Sequence, residues 1–242
     1  MANKPYRIIA HRGWNTAFPE NSIPAFAAAV AAGADEIEFD VRVSKDGVPV
    51  LCHDATLDRT TNLTGRVSDY TAAELKEARI RMPNGELLEG LGIPRLRDVL
   101  DMFGGRVGMN IHVKGSGPNF EVLYELKERL AGINRDDVYI ATSGRDLEAA
   151  KEICPEIPRC GLRNANRREH IVDDAVRNGC VRVQFWRGEY TRDMVQQAKD
   201  SGLIPNLFYV DDPEQVHEAL EWGIVGILTN DAGPMLRYLR SL

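Results

Sequence analysis

Cysteine is scarce in this 242-residue chain, and its four cysteines follow no recognisable pattern. Cys52, Cys154, Cys160 and Cys180 include no CxxC pair and no spacing typical of zinc ligands. A disulfide-stapled fold and a cysteine-rich metal module are therefore excluded. We predict buried free thiols in a reducing compartment.

The sequence also contains no long hydrophobic run and no excess of positive charge. No segment approaches the roughly 18 consecutive apolar residues of a membrane span, and the apolar stretch near the N-terminus is too short for a signal peptide. We therefore expect a cytoplasmic protein without stable membrane insertion. The formal net charge of −6 argues against nonspecific nucleic-acid binding but allows a locally basic pocket.

Strand-like and helix-like segments alternate from one end of the chain to the other. The predicted strands are short and apolar or alternating, and they lie at residues 6–10, 36–52 (a strand extended by an Asp-Gly hairpin), 107–113, 138–142, 157–162, 181–185, 204–210 and 226–229. Eight strands that alternate with helices predict an α/β fold, a closed (β/α)8 TIM barrel. A doubly wound open sheet is the alternative, although no glycine-rich nucleotide loop follows any strand.

One segment, residues 54–95, interrupts this alternation. It is rich in turn residues and contains only a short predicted helix, at residues 71–78. We interpret it as an insertion after the second strand of a single domain that spans residues 1–242. In a barrel, such an insertion is predicted to lie over the C-terminal mouth, where active sites are found.

Two histidines follow predicted strands in the first 54 residues. His11 and Arg12 come directly after the first strand, and His53 ends the hairpin of the second. A pair of histidines can act as general base and general acid, and an arginine can donate two hydrogen bonds to a phosphate. The alternative for His11 and Arg12 is an exposed loop pair. Asp54 either orients His53 or caps the following turn.

Carboxylates occupy alternate positions of the second strand. Glu38 and Asp40 share one face of the strand, with Glu36 one step earlier on the same side. Buried acids in a barrel need a cation or a basic partner, and oxygen ligands suit Mg²⁺ or Ca²⁺. The alternative is an exposed hairpin with a charged face.

A third group of polar residues ends the third predicted strand. Asn110, His112 and Lys114 share one face. Lys114 can neutralise phosphate charge, and His112 can bind a metal or donate a hydrogen bond. Further along the chain, Trp186 and Phe208 form either an apolar wall of the site or part of the core.

Four motifs in this order resemble the glycerophosphodiester phosphodiesterase family, and the similarity covers essentially the whole chain. They are HRG at 11–13, PEN at 19–21, the highly specific run from 38 to 67, and GILTND at 226–231, and the densest match covers residues 8–70. The resemblance implies a TIM barrel that hydrolyses glycerophosphodiesters to sn-glycerol 3-phosphate and an alcohol with a divalent metal. It thereby implies an enzyme of lipid or glycerol metabolism.

The resemblance also implies a role for each matching residue. It implies that His11 and His53 are the acid–base pair and that Arg12 binds the phosphate. It likewise implies that Glu38 and Asp40 are ligands of the metal, which in this family is Mg²⁺ or Ca²⁺.

The third strand departs from the family pattern. The family usually has Asn-Ile-Glu-x-Lys where this chain has Asn-Ile-His-Val-Lys at residues 110–114. Lys114 matches a phosphate-neutralising position, whereas His112 replaces the third acidic ligand. We hypothesise that His112 still binds the metal. Because an imidazole is neutral and softer than a carboxylate, it weakens binding of Mg²⁺ or Ca²⁺ and makes Mn²⁺ or Zn²⁺ more plausible.

Several alternatives stay open at this point. The substrate is predicted to be a small phosphodiester, with a sugar phosphodiester or a lysophospholipid as the alternative to a glycerophosphodiester. A noncatalytic phosphate-ligand binder that lost its metal through His112 is the rival from another class. The nucleophile is either water or the vicinal glycerol hydroxyl by way of a cyclic phosphate. The order of acid and base and the oligomeric state, a homo-oligomer included, do not follow from the sequence.

Overall fold

Parallel strands close into a ring in the computed structural model, which describes residues 6–132, 136–164 and 167–241. Eight strands follow each other around the barrel in chain order: β1 (Arg7–Ala10), β2 (Glu36–Val43), β6 (Gly108–Val113), β7 (Val138–Thr142), β8 (Arg159–Leu162), β9 (Arg182–Trp186), β10 (Ile204–Phe208) and β11 (Gly226–Thr229). The ring closes because β1 pairs in parallel with both β2 and β11. The predicted TIM barrel is therefore confirmed.

Helices lie in the connections between the barrel strands and after the last strand. They are α1 (Ile23–Ala32), α2 (Ala72–Lys76), α3 (Leu96–Phe103), α4 (Glu121–Arg129), α5 (Gly144–Ile153), α6 (Ile171–Arg177), α7 (Arg192–Asp200), α8 (Pro213–Trp222) and α9 (Ala232–Arg240). No helix is predicted from the sequence at α9, although Pro234 lies in its first turn. Proline is tolerated in the first turn of a helix, where its missing N–H removes no intrahelical bond.

Local sequence explains where α1 begins and ends. Ser22 caps its N-terminus, because the Ser22 side chain accepts a hydrogen bond from the backbone N–H of Ala25 at 3.3 Å. Pro24 lies in the first turn, and Gly33 ends the helix with a φ of 96°. These signals set the bounds of α1, which follows the loop that carries His11 and Arg12.

The alternation in β2 separates an apolar face from a polar face. Ile37, Phe39 and Val41 are buried in the core between the strands and the helices. Phe39 packs edge-on against Phe26 of α1, with ring centroids 5.7 Å apart. The alternate residues, Glu36 among them, point into the barrel, as the alternation predicted.

Residues 54–95 contain two short strands that the sequence analysis did not predict. β4 (Ile80–Arg81) and β5 (Leu87–Leu88) form a separate antiparallel hairpin. Strands of two residues are too short to give a detectable alternation. The strand β3 (Pro49–Leu51) pairs antiparallel with β2, as the Asp-Gly turn predicted. Side chains of the segment share a small second core with Val50 and Cys52. Its role as an insertion over the mouth stays a prediction.

The end of the barrel opposite the mouth is held by a buried polar layer. Glu36 accepts a hydrogen bond from the Tyr139 hydroxyl at 2.7 Å and lies 3.8 Å from Arg182 Nη2. The guanidinium of Arg182 also stacks over the Tyr139 ring at 4.5 Å, and Arg182 is 1% exposed. Burial raises the pKa of Glu36, and the charge of Arg182 opposes that rise. Glu36 is thus the acidic partner of Arg182 in this layer.

Replacing Glu36 with Ala should lower the free energy of unfolding by about 3–5 kcal/mol, because it leaves the Arg182 charge buried without its acidic partner. Urea denaturation would measure the change. Glu77, an exposed acid at the end of α2, supplies a Glu77→Ala control that should be nearly neutral. Equal stability of the two variants would contradict the assignment.

Candidate active site

The turn after β1 brings His11 and Arg12 to the mouth of the barrel. Arg12 has a φ of 56° and Gly13 a φ of 81°, so two successive residues adopt the left-handed region. A Cβ on Gly13 would lie 2.7 Å from the backbone of Ala25. Only glycine fits between this turn and α1, which is the physical reason for glycine in the HRG motif.

Three potential metal ligands meet inside the barrel. Asp40 lies beside His112 in the register of β2 and β6, and His112 Nδ1 is 3.3 Å from Asp40 Oδ1 and 3.6 Å from Glu38 Oε1. One ligand atom from each of the three residues lies within 4.8 Å of the others. The structure thus brings together the three residues that the sequence analysis named as ligands.

The electrostatics of this cluster suit a cation. Burial, and then the charge of Asp40, raises the pKa of Glu38 to about 7. Burial lowers the pKa of His112 to about 3, which leaves a neutral imidazole able to coordinate. Asp40 Oδ1 is buried and accepts no hydrogen bond from the residues that the structure describes. A divalent ion would satisfy this oxygen and offset the repulsion between the two acids.

Arg12 and Lys114 place positive charge beside the cluster. The Arg12 backbone N–H donates to Glu38 Oε2 at 2.8 Å, and its side-chain Nε lies 3.2 Å from Asp40 Oδ2. Lys114, just beyond β6, has its Nζ 3.4 Å from Asp40 Oδ1. Both cations are therefore next to the candidate metal position, where they could contact phosphate oxygens.

In both histidines, the ring nitrogen Nδ1 lies within hydrogen-bond distance of a side-chain oxygen. His53 Nδ1 lies 2.7 Å from Asp54 Oδ1, and a carboxylate oxygen can only accept, so Nδ1 carries the proton. His11 Nδ1 lies 2.6 Å from Asn230 Oδ1. The amide of Asn230 is oriented by Asp211, which accepts from Asn230 Nδ2 at 2.7 Å. In each histidine, Nε2 is consequently the nitrogen left for proton transfer.

Burial is the main influence on the proton affinity of the two histidines. It lowers the pKa of His11 and of His53. Burial works to raise the pKa of Asp54, but hydrogen bonds from Arg59 and His53 outweigh it and hold that pKa at about 2. Asp54 is thus an ionised partner that orients His53, which decides between the two roles considered for it.

A cavity of about 500 Å³ joins these groups at the mouth. Its lining combines the basic residues with aromatic and neutral polar side chains: His11, Arg12, His53, His112, Lys114, Ser143, Leu162, Arg163, Gln184, Phe185, Trp186, Phe208, Tyr209 and Asn230. Trp186 and Phe208 therefore form a wall of the site. Ser143 precedes α5 without a side-chain capping bond and also faces the cavity.

The site includes residues to which the sequence analysis assigned no role. Asn21 holds Asp40 from both sides, since Asn21 Nδ2 donates to Asp40 Oδ2 at 3.0 Å and Asn21 Oδ1 accepts from the Asp40 backbone at 2.9 Å. Asn230 and Asp211 orient His11. Asn21 belongs to the PEN motif and Asn230 to the GILTND motif. The motifs therefore mark both residues, but the sequence alone does not predict which side chains they contact.

Arg59 connects the two sides of the site. It donates to both carboxylate oxygens of Glu20, at 2.6 and 2.8 Å, and to Asp54 Oδ2 at 2.6 Å. Glu20 in turn accepts from Arg12 Nη1 at 3.0 Å. A continuous set of charged hydrogen bonds thus runs from His53 through Asp54, Arg59 and Glu20 to Arg12.

Sequence similarity assigns the chain to a known family. The sequence model of the glycerophosphoryl diester phosphodiesterase family matches residues 11–233. The chain belongs to this family. It is 31% identical to a glycerophosphodiester phosphodiesterase of Caldanaerobacter subterraneus over 97% of this chain and 98% of that protein. It is 37% identical to one of Bacillus altitudinis over 93% and 94%.

Solved structures show the same fold. A phosphodiesterase of Oleispira antarctica, in complex with the product sn-glycerol 3-phosphate, matches with a TM-score of 0.83 and 23% identity, over 97% of this chain and 96% of that one. A structure from Silicibacter pomeroyi matches with a TM-score of 0.84 and 23% identity, over 98% and 93%.

These findings confirm the predicted family, the TIM barrel and an enzyme with glycerophosphodiester phosphodiesterase activity. The four cysteines are free and buried, as predicted. None of the described helices is long and apolar enough to cross a membrane. The cytoplasmic location, the lack of nucleic-acid binding and the oligomeric state stay predictions.

Replacing Arg59 with Ala should lower kcat/KM on a glycerophosphodiester by about tenfold to hundredfold, because misplaced reacting groups cost rates of this order. Steady-state kinetics would measure the loss, and Arg59→Lys should recover part of it. Arg79 lies in the same segment and pairs with exposed Glu89 at 3.0 Å, so Arg79→Ala is the matched control. Equal kcat/KM for Arg59→Ala and Arg79→Ala would show that the network does not position the site.

Proposed function

We propose that this chain hydrolyses glycerophosphodiesters to sn-glycerol 3-phosphate and an alcohol, with a divalent metal and with His11 and His53 as the proton-transfer pair. One observation carries the proposal: the metal-ligand cluster adjoins a cavity that also contains both histidines and two phosphate-binding cations. The family assignment supports the reaction class. A purely structural role explains none of these groups.

Glu38, Asp40 and His112 are the residues that would hold the metal. When bound, the ion would supply positive charge for the nonbridging phosphate oxygens. Arg12 and Lys114 lie next to Asp40 and would bind the same oxygens, which stabilises the charge that develops there in the transition state.

His11 and His53 would divide the proton transfers. One imidazole takes a proton from the nucleophile through its Nε2, and the other supplies a proton to the leaving alcohol, since an alkoxide leaves poorly. Asn230 and Asp54 hold the two rings by Nδ1 and thereby keep Nε2 available. Glu20 and Arg59 hold Arg12 and Asp54 in one network and so fix the phosphate site relative to His53.

Release of glycerol 3-phosphate from glycerophosphoglycerol and glycerophosphocholine tests the proposal. The purified chain is stripped with EDTA and assayed with Mg²⁺, Ca²⁺, Mn²⁺ and Zn²⁺ in turn. We expect no release without metal and release with at least one ion. A noncatalytic binder would give no release with any ion while still binding glycerol 3-phosphate. Release of a product other than glycerol 3-phosphate, or turnover confined to sugar phosphodiesters or lysophospholipids, would contradict the assigned substrate.

A further inference from the structure

The cavity has a second half beyond the phosphate-binding groups. There Trp186, Phe208 and Tyr209 form an aromatic wall, with the Trp186 and Phe208 ring centroids 4.6 Å apart. Trp186 is 41% exposed, which is unusual for so large an apolar side chain in the strand β9. Exposed aromatic rings beside a phosphate site are the groups that bind quaternary ammonium ions such as choline.

The chain already covers this aromatic surface with its own cation. The guanidinium carbon of Arg163 lies 4.5 Å from the centroid of the Trp186 ring. Glu189 holds Arg163 in place, accepting from Arg163 Nη1 at 2.7 Å through Oε1 and at 2.6 Å through Oε2. An incoming ammonium would have to displace this charge-assisted contact or lie next to another positive charge.

The charges around the cavity also disfavour a cationic ligand. Its charged side chains, among the residues that the structure describes, are Arg12, Lys114 and Arg163, and no carboxylate lines it. Neutral hydrogen-bonding groups, in contrast, are present in Ser143 and Gln184. Gln184 Oε1 accepts from Asn110 Nδ2 at 2.8 Å, which fixes the side-chain amide. This lining suits hydroxyl groups better than a cationic head.

We propose that Arg163 is a specificity-determining residue, and that the alcohol released by this enzyme is an uncharged polyol, such as glycerol or inositol, rather than an amino alcohol with a quaternary ammonium. The alcohol lies against Trp186, where Arg163 excludes the ammonium. This inference rests on the proposed function and adds the substrate class.

A comparison of four matched substrates tests the inference. Glycerol 3-phosphate release gives kcat/KM for glycerophosphoglycerol, glycerophosphoinositol, glycerophosphocholine and the 3,3-dimethylbutyl ester, an uncharged isostere of the choline ester. We expect the wild type to prefer the two polyol esters over the choline ester by about tenfold, an effect of the size of one aromatic–cation contact. The isostere should be hydrolysed faster than the choline ester.

The variant Arg163→Ala should reverse this preference. It uncovers Trp186 and removes the hydrogen bonds from Arg163 to Glu189, so kcat/KM for the choline ester should rise relative to its isostere by about tenfold. The double variant Arg163→Ala/Trp186→Leu should lose that gain. Arg168 donates to the same Glu189 at 3.2 Å, so Arg168→Ala is the matched control and should keep the wild-type ratio.

Each result of these measurements either supports or contradicts the role of Arg163. A wild-type enzyme that prefers the choline ester, or an Arg163→Ala variant with the wild-type ratio, would overturn the substrate class while leaving the phosphodiesterase reaction standing. Failure of the wild type to hydrolyse any of the four esters would overturn the proposed function and this inference with it.

Discussion

The variants His11→Ala and His53→Ala should each lower kcat for glycerophosphodiester hydrolysis by about 10²- to 10⁴-fold, which is the usual contribution of a positioned acid or base. Both rings have Nδ1 bonded to an oxygen and Nε2 left for proton transfer. Because both act in one reaction, the double variant should be little slower than the slower single variant. Steady-state rates at saturating substrate and metal measure all three.

Loss of folding must be separated from loss of chemistry in this experiment, since His11 is buried. Metal titration and urea denaturation of each variant serve that purpose, because neither reports proton transfer. His217, a surface histidine that bonds Tyr238, supplies the control His217→Ala, which should keep wild-type kcat. A near-wild-type kcat in His11→Ala or His53→Ala would refute the acid–base assignment.

Removing the imidazole of His112 should weaken metal binding by about 100-fold or more, since loss of even an outer partner of a ligand often costs 10- to 100-fold. Calorimetric titration of the metal-free chain with Mn²⁺, Zn²⁺, Mg²⁺ and Ca²⁺ measures the affinities. We expect the wild type to favour Mn²⁺ or Zn²⁺, because burial keeps His112 neutral and an imidazole is softer than a carboxylate.

The variant His112→Glu sharpens this test. It supplies a third carboxylate and should shift the preference towards Mg²⁺ and Ca²⁺, which take oxygen ligands. His217→Ala again serves as the control and should bind each ion as the wild type does. Unchanged affinity in His112→Ala would show that Glu38 and Asp40 bind the ion without His112.

Much of the candidate site was predictable because strands impose simple rules. Side chains two residues apart share a face, so Glu38 and Asp40 had to point the same way. Parallel strands of a barrel end at one rim, so His11 after β1 and Lys114 after β6 had to come near each other. The distances from His112 to Glu38 and Asp40 agree with the first rule, and the cavity lined by both His11 and Lys114 agrees with the second.

The less regular parts of the chain were harder to predict. The hairpin of β4 and β5 is too short for a periodic signal, and α9 contains residues usually taken as breakers. Arg59 lies in the turn-rich segment, where no strand or helix rule states where a side chain points. Its bonds to Glu20 and Asp54 therefore had no counterpart in the sequence analysis.

The sequence by itself determined the barrel and the chemical groups at its rim, because both follow from local periodicity and from motifs of neighbouring residues. Only the tertiary structure decided how those groups are held. His11 is oriented by Asn230, 219 residues away, because closure of the barrel makes β1 and β11 neighbours. Arg163 reaches Trp186 because β8 and β9 are adjacent strands. Such contacts depend on side-chain direction in three dimensions, which sequence spacing does not encode.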